Sequence, residues 1–292
     1  TSSLDDSEVE KLFKMMRDLK AKGVGIIFVT HFLEQVYAVC DKITVLRDGQ
    51  LVGQYEIENL PRIQLVAKML GKELDDEEEI KDDSLVYQGA DADQNVFEAE
   101  GLQSNAGIKP FNFHIKKGEV NGFAGLLGSG RSECVRAIFG ADKVIAGKVK
   151  VKGKDVKISK PIDAMKLGIA YLSESRKDDG LVGDLSVRDN IILAQQVLRG
   201  FFRPYSKSEA YKIADEYIKL LEIKTASADT PIKSLSGGNQ QKCIIARWLL
   251  THPDYLILDE PTRGIDIGTK VEIQKLVLKL GSGGMSVTFI SS

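Results

Sequence analysis

The sequence predicts an α/β fold built on a parallel sheet, and three observations carry that expectation. "EVNGFAGLLGSGRSECVRAIFG", residues 119–140, passes from an apolar strand through a glycine-rich turn into a helix. "YLILDE", residues 255–260, has no polar alternation, as a strand covered on both faces requires, and it ends in two carboxylates. The two ends of the chain also repeat each other: setting Thr1 over Thr262 brings Asp5, Lys14, Leu19, Gly23 and Phe28 onto Asp266, Lys275, Leu280, Gly284 and Phe289 without a gap. Both copies read as a turn carrying Asp, an amphipathic helix, a glycine break and an apolar strand.

From Thr1 onward the elements follow in order. A helix precedes a strand near Ile26 to Thr30, and "EQVYAVCDKITVLRDGQLVGQYEI" is a helix followed by two β-rich runs joined at Asp48-Gly49, a short hairpin signal. "LPRIQLVAKMLGKEL" is a helix starting near Pro61. "DDEEEIKDDSLVYQGADADQ", residues 75–94, is acidic and poor in apolar side chains, as an exposed linker is. The expected organisation is therefore the late part of a first domain over residues 1–74, a linker over 75–94 and a second domain over 95–292.

Bulk composition weighs against several function classes without excluding a nucleic-acid role. At 292 residues with 43% hydrophobic and 28% charged side chains, the chain is ordinary for a globular protein. Forty basic against 42 acidic side chains give a net charge of −2, so no excess positive field draws it to nucleic acid or anionic lipid. The longest apolar runs, "VGIIFVT" and "YLILDE", are far short of the roughly 20 residues of a membrane-spanning helix, and any membrane crossing is expected to fall to another subunit. Cys40, Cys134 and Cys243 are isolated and lack CxxC spacing, which fits reduced thiols rather than a disulfide frame or a zinc site. The sequence starts at Thr1 rather than Met, and a longer parent protein is expected.

The residues that carry chemistry fall in three stretches. "GLLGSGRSE" fits the phosphate-loop spacing at Gly125, Gly130 and Ser132, with Arg131 in the lysine position. Glycines there let backbone N–H groups curl around phosphate oxygens, and Ser132 can ligate magnesium. Arginine keeps the charge but replaces a compact ammonium with a wide planar fork. Taken alone, the loop is also compatible with a plain strand-to-helix turn. Asp259 is suited to holding magnesium through water, and Glu260 to orienting or deprotonating an attacking water. "LSGGNQQK", residues 235–242, opens a helix at Ser236, Gly237 and Gly238, whose exposed N–H groups form a second anion site if they serve another domain's nucleotide; an ordinary helix cap is the simpler alternative.

In this order, phosphate loop, "LSGGNQQK", then "LILDEPTRGID", the chain resembles an ABC-type ATPase. "LLGSGRSE", "YLSESRKDDGLV" and "GGNQQKCIIARWLL" further resemble the tandem ATPases of bacterial monosaccharide importers of the ribose, xylose, galactose and galactofuranose class, over essentially the whole chain. The resemblance implies a P-loop NTPase of ABC type: a parallel-sheet core, an antiparallel β portion and a helical subdomain over roughly Leu185 to Leu235 that presents the signature. It implies two nucleotide-binding domains packed head to tail, each ATP lying between one domain's phosphate loop and the other's signature. ATP and Mg2+ are the implied cofactors. The implied nucleotide contacts are Gly125, Gly128, Ser129, Gly130, Arg131, Ser132, Glu133, Glu174 and Asp259, with Ser236, Gly237, Gly238 and Gln240 acting across the interface. Asp5 and Asp266 take the D-loop positions, His31 the switch histidine that contacts the γ-phosphate, and Ser132 and Asp259 the magnesium positions.

The resemblance also implies two unequal sites. Arg131, Glu174 at the usual Q-loop glutamine and Ser292 opposite His31 all depart from the family pattern in the second domain. A glutamate adds negative charge beside phosphates, and serine lacks the imidazole. With Asp259 and Glu260 intact, both slow turnover and a dead site stay open there. The expected catalytic residues are Glu260 and His31. The expected partners are integral-membrane permease subunits, and indirectly a periplasmic sugar-binding protein, at the cytoplasmic face of a bacterial inner membrane, with no nucleic acid and no sugar bound directly. A soluble ABC protein of ribosome or nucleic acid, and a nucleotide-binding regulator without turnover, are the alternatives. "LLGSGRSE" and "FVTHFLEQVY" tilt toward the galactofuranose branch.

Overall fold

A computed structural model describes residues 6–30, 32–47, 49–70, 94–126, 128–200 and 202–291. The chain forms two compact units, residues 1–83 with 264–271, and residues 84–263 with 272–292. The expected acidic linker falls almost entirely on residues 71–93, outside the described residues.

The first unit contains α1 (Asp6–Ala21), α2 (Leu33–Val39), β1 (Lys42–Arg47), β2 (Gln50–Glu56) and α3 (Arg62–Leu70). Leu33, Val45, Leu60 and Leu65 form its core, and the Tyr37 hydroxyl donates to the Leu60 carbonyl at 2.6 Å. The expected hairpin is present: Arg47 pairs with Gln50, and Gly49 turns the chain at φ 78°, where a side chain would be strained. The expected strand near Ile26 to Thr30 is not formed. Ile27 is 94% and Val29 90% exposed. A strand is defined by its neighbours, and among the described residues β1 and β2 make the only sheet of this unit.

The second unit runs β3 (Asn95–Ser104), β4 (Phe111–Lys116), β5 (Val120–Ala124), α4 (Arg131–Phe139), β6 (Val144–Val151), β7 (Lys154–Val156), α5 (Pro161–Lys166), β8 (Ile169–Leu172), α6 (Val187–Arg199), α7 (Lys207–Leu220), α8 (Gly237–Leu249) and β9 (Tyr255–Asp259). It ends with α9 (Ile267–Ser282), whose first residues belong to the other unit, and β10 (Ser286–Ser291). β5, β10, β9 and β8 lie side by side and all parallel, while β4, β3, β6 and β7 form an antiparallel sheet. Both expected β components are thus present, with β5 at an edge of the parallel sheet among the described residues. β8 and β9 are buried at every position, as unbroken apolar runs require. Phe97, Leu102 and Ile115 of the antiparallel sheet share one core with Val135 and Ile138 of α4 and with Tyr255 and Ile257 of β9.

The expected helical subdomain consists of α6 and α7 followed by the start of α8. Ser186, Ser206 and Ser236 cap these three helices, each side chain accepting from a backbone N–H three residues on. Inside it, Asn190 and Arg247 are buried and joined. The Arg247 guanidinium donates to the Asn190 carbonyl (2.7 Å), the Gly180 carbonyl (2.5 Å) and Asn190 Oδ1 (2.8 Å). Asn190 also accepts from the Val182 N–H and donates to the carbonyls of Val182, Leu185 and Ser186. This network ties α8 to α6 and to the chain leaving β8.

The terminal repeat has a structural counterpart. α1 and α9 are 16 residues each and occupy aligned positions. Each is followed by a glycine at positive φ, Gly23 at 82° and Gly284 at 90°, and the next N–H, of Val24 or Met285, returns to Leu19 or Leu280 at 3.1 Å.

Candidate functional site

The site lies where β5, β9 and β10 end, the edge of a parallel sheet at which ligands bind in open α/β folds. Gly128 and Gly130 hold φ of 78° and 88° between β5 and α4, and a Cβ on Gly125 would stand 2.8 Å from Ser129 Oγ. At Gly128 and Gly130 a side chain would be strained by the positive φ, and at Gly125 it would force the Ser129 hydroxyl to turn aside. α4 then starts at Arg131, with its first N–H groups and partial positive charge facing the loop. Glu133 sits half-buried in that first turn.

Asp259, at the end of β9, is wholly buried. Ser132 Oγ donates to its Oδ1 and the Tyr171 hydroxyl to its Oδ2, each at 3.1 Å. Burial pushes its carboxyl up to about 6, while the two hydroxyls favour the ionised form. Glu260 follows at φ 47°, a left-handed backbone uncommon for glutamate, and its N–H donates to the Ile290 carbonyl at 3.1 Å. Its Oε1 is buried without a hydrogen-bond partner. Ser132 Oγ and the Asp259 carboxylate, 3.1 Å apart, make an oxygen pair that fits a hard divalent cation such as magnesium.

Arg131 does not extend along the loop. Its Nη1 donates to the Ser291 carbonyl at 2.6 Å and stands 3.7 Å from Glu260 Oε1, so the guanidinium lies across the ends of β9 and β10.

A second cluster surrounds Glu174. The Arg263 guanidinium pairs with the Glu174 carboxylate. Arg176, in a π-helical turn at Arg176–Gly180, donates through Nε to Gln240 Oε1 (3.2 Å) and through Nη1 to the Arg263 carbonyl (3.4 Å). Burial lowers the pKa of Arg176. Gln240 donates in turn to the carbonyls of Ile232 and Leu235, so its amide is committed inside the unit, whereas Ser236 is exposed at the start of α8. Gly237 is half-buried and Gly238 buried. Asp266 caps α9 by accepting from Thr269 N–H at 2.9 Å and its hydroxyl at 2.8 Å. Asp5, His31 and Ser292 lie outside the described residues.

The structure therefore brings Gly125, Gly130, Arg131, Ser132, Asp259 and Glu260 together, and places Glu174, linked through Arg263 and Arg176 to Gln240, close enough for its charge to act on Asp259. Sequence reading missed Tyr171 and Arg176. Alternation along "IAYLSESR" marks neither, because each partner is more than sixty residues away in the chain. Tyr171→Phe removes one of two hydrogen bonds to Asp259 without changing packing volume. It is expected to weaken magnesium-dependent nucleotide binding by about 10- to 150-fold, the worth of one hydrogen bond to a charged group, measured by titration with a fluorescent ATP analogue. Unchanged affinity would make the contact incidental.

The chain is similar to known proteins along its whole length. The profile of the family described as ABC transporter matches residues 108–263. A fructose import ATP-binding protein of Bifidobacterium longum is 49% identical across the whole chain. A galactofuranose transporter ATP-binding protein of Escherichia coli is 48% identical, and a ribose import ATP-binding protein of Clostridium perfringens 40%, again across the whole chain. The chain spans 57%, 58% and 57% of these relatives, so it corresponds to little more than half of each. Among solved structures, a nucleotide-free ATP-binding cassette from an ABC transporter superposes with a TM-score of 0.58 at 21% identity, over 68% of this chain and 81% of the other. A dimeric cassette in a post-hydrolysis state with ADP and Pi gives 0.56 at 25% identity, over 67% and 87%.

Proposed function

The chain belongs to the ABC transporter family, and from that premise we propose that it is part of the ATP-binding and hydrolysing subunit of a bacterial monosaccharide importer. The observation that carries the reading is Ser132 and Tyr171 clasping Asp259 at the mouth of a glycine loop that opens a helix. Residues 1–74 are the late part of a first nucleotide-binding domain and 95–292 most of a second, joined by the acidic linker over 75–94.

In this reading the backbone N–H groups from Gly125 to Ser132 and the start of α4 bind the phosphates, with Glu133 in the same turn. Ser132 and Asp259 would hold magnesium, which would supply neutralisation of phosphate charge. Ser236 and Gly237 offer their helix terminus to the ATP of the other domain, and Asp5 and Asp266 line the D-loops. Gln240 stiffens the signature from within. Closing two domains on ATP and reopening after hydrolysis moves the permease subunits, which accept sugar from a periplasmic binding protein at the outer face of the membrane. The chain itself works at the cytoplasmic face. Among the described residues, no helix is long and apolar enough to cross a membrane.

The second domain's own site is the slower one. Arg131 is spent on the Ser291 carbonyl and stands beside Glu260, so the carboxylate that orients the attacking water is partly neutralised. Glu174 is engaged by Arg263, and Ser292 replaces the switch histidine. Turnover is therefore assigned to the composite site that uses His31 and the signature at Ser236, with the degenerate site serving as a nucleotide-bound hinge. In the full-length protein with its permease, His31→Ala is expected to reduce ATP turnover by about 10²-fold or more, the usual worth of one positioned contact to developing phosphate charge, and Glu260→Gln far less. The reverse ranking overturns the assignment.

A further inference from the structure

Asp259, Glu260 and Glu174 put three carboxylates beside the phosphate loop, where each repels an arriving triphosphate unless a cation offsets it. Asp259 ends β9, Glu260 follows it, and Glu174 lies just beyond β8, whose last residue, Leu172, pairs with Leu258. Burial is the main reason that the Asp259 carboxyl is pushed up, and the charge of Glu174 adds to it. Asp259 with Ser132 is suited to a metal cation, and the Arg131 guanidinium stands 3.7 Å from Glu260. Glu174 is met by Arg263.

The backbone sets up this last pair. A turn after β9, closed by the Arg263 N–H on the Glu260 carbonyl at 3.0 Å, brings Arg263 back to Glu174. Arg176 braces the turn: its Nη1 donates to the Arg263 carbonyl at 3.4 Å, and its Nε donates to Gln240 Oε1 of α8 at 3.2 Å. The Arg263 and Glu174 side chains are 40% and 34% exposed, and an ion pair that open to water adds little to stability. What the pair changes is the field at the loop, because a bare Glu174 would leave a full negative charge beside the phosphates.

We propose, resting on the reading that the loop binds MgATP, that Arg263 is a positioning residue for that site: it holds and neutralises Glu174, so that magnesium and the triphosphate meet Asp259 without the charge of Glu174 added to it. Arg263 acts through Glu174 and not by touching the nucleotide. Arg176 acts at one further remove, through the Arg263 backbone.

The test is titration of the full chain, in magnesium, with a fluorescent ATP analogue and its ADP counterpart, with melting temperatures measured alongside. Arg263→Met is expected to weaken binding of the ATP analogue about tenfold and of the ADP analogue by less, since a charge effect grows with the charge of the ligand. Arg263→Lys, which keeps the cation, is expected to lose less than about threefold. In a Glu174→Gln background the change Arg263→Met is also expected to cost less than about threefold, because no carboxylate is left to neutralise. Melting temperatures are expected to stay within about 3 °C of the unaltered chain, as for any exposed ion pair. A tenfold loss that persists in the Glu174→Gln background overturns the proposal, as do equal losses for the two nucleotides or an Arg263→Met chain that binds as tightly as the unaltered one. Failure of the unaltered chain to bind either analogue is a different result: it overturns the nucleotide-site reading, and the proposal falls with it.

Discussion

Leucine in place of Asn190 is expected to lower the stability of the second unit by about 3–5 kcal/mol. The side chain is fully buried and is joined by hydrogen bonds to Val182, Leu185, Ser186 and the Arg247 guanidinium. Leucine fills nearly the same volume, so the loss comes from orphaned polar groups rather than a cavity. The costliest orphan is the Arg247 Nη2, a charged donor in a dry place: burial already pulls the Arg247 pKa down to about 10. Urea titration followed by the fluorescence of Trp248, the single tryptophan, which packs edge-on to Phe139, reads the effect. In an Arg247→Met background the same substitution should cost at least about 1 kcal/mol less, because the two residues act as one network. Equal costs in both backgrounds would mean that the network has no cooperative role.

Alanine at Gly147 is expected to cost about 3 kcal/mol or more. Gly147 lies in β6 at φ 102°, opposite the register shifts of β3 between Glu100 and Ser104. A Cβ there would stand 2.5 Å from Leu102 Cα and 2.6 Å from the Gly101 carbonyl oxygen. Both are backbone atoms of the strand at the middle of the antiparallel sheet, so no side-chain rotation relieves the clash. Gly153→Ala is the control. Its φ is 74° but nothing lies within 4 Å of the added methyl, so only the backbone cost of about 1–2 kcal/mol applies. Comparable urea midpoints for the two variants would show that β3 gives way easily.

Much of the fold was legible because local pattern and burial agree. The unbroken apolar run of "YLILDE" is β9, buried at every residue, and the glycine turn opens α4 at the expected arginine. The terminal repeat anticipated α1 and α9 because helix formation is local. It did not carry over to the strand that follows, because the equivalent β10 is held between β9 and β5, whereas residues 26–30 have no strand beside them among the described residues. The candidate site was legible where glycines and acids are themselves the signal, at Gly125, Gly130, Ser132, Asp259 and Glu260. It was not legible where side chains from distant segments meet: the position of the Arg131 guanidinium against Ser291, the hydroxyl of Tyr171, and the inward commitment of Gln240 to Arg176 all depend on tertiary placement.

The bare segment from Val24 to Thr30 has one further consequence. It is uncharged, lacks proline, is rich in β-branched residues and displays Ile27 and Val29 almost completely. Those are the attributes of a strand that stacks on copies of itself into cross-β fibrils. The stretch thus has the make-up of a sheet strand while no described strand pairs with it, and a lysine at Ile27 would cost this polypeptide little stability.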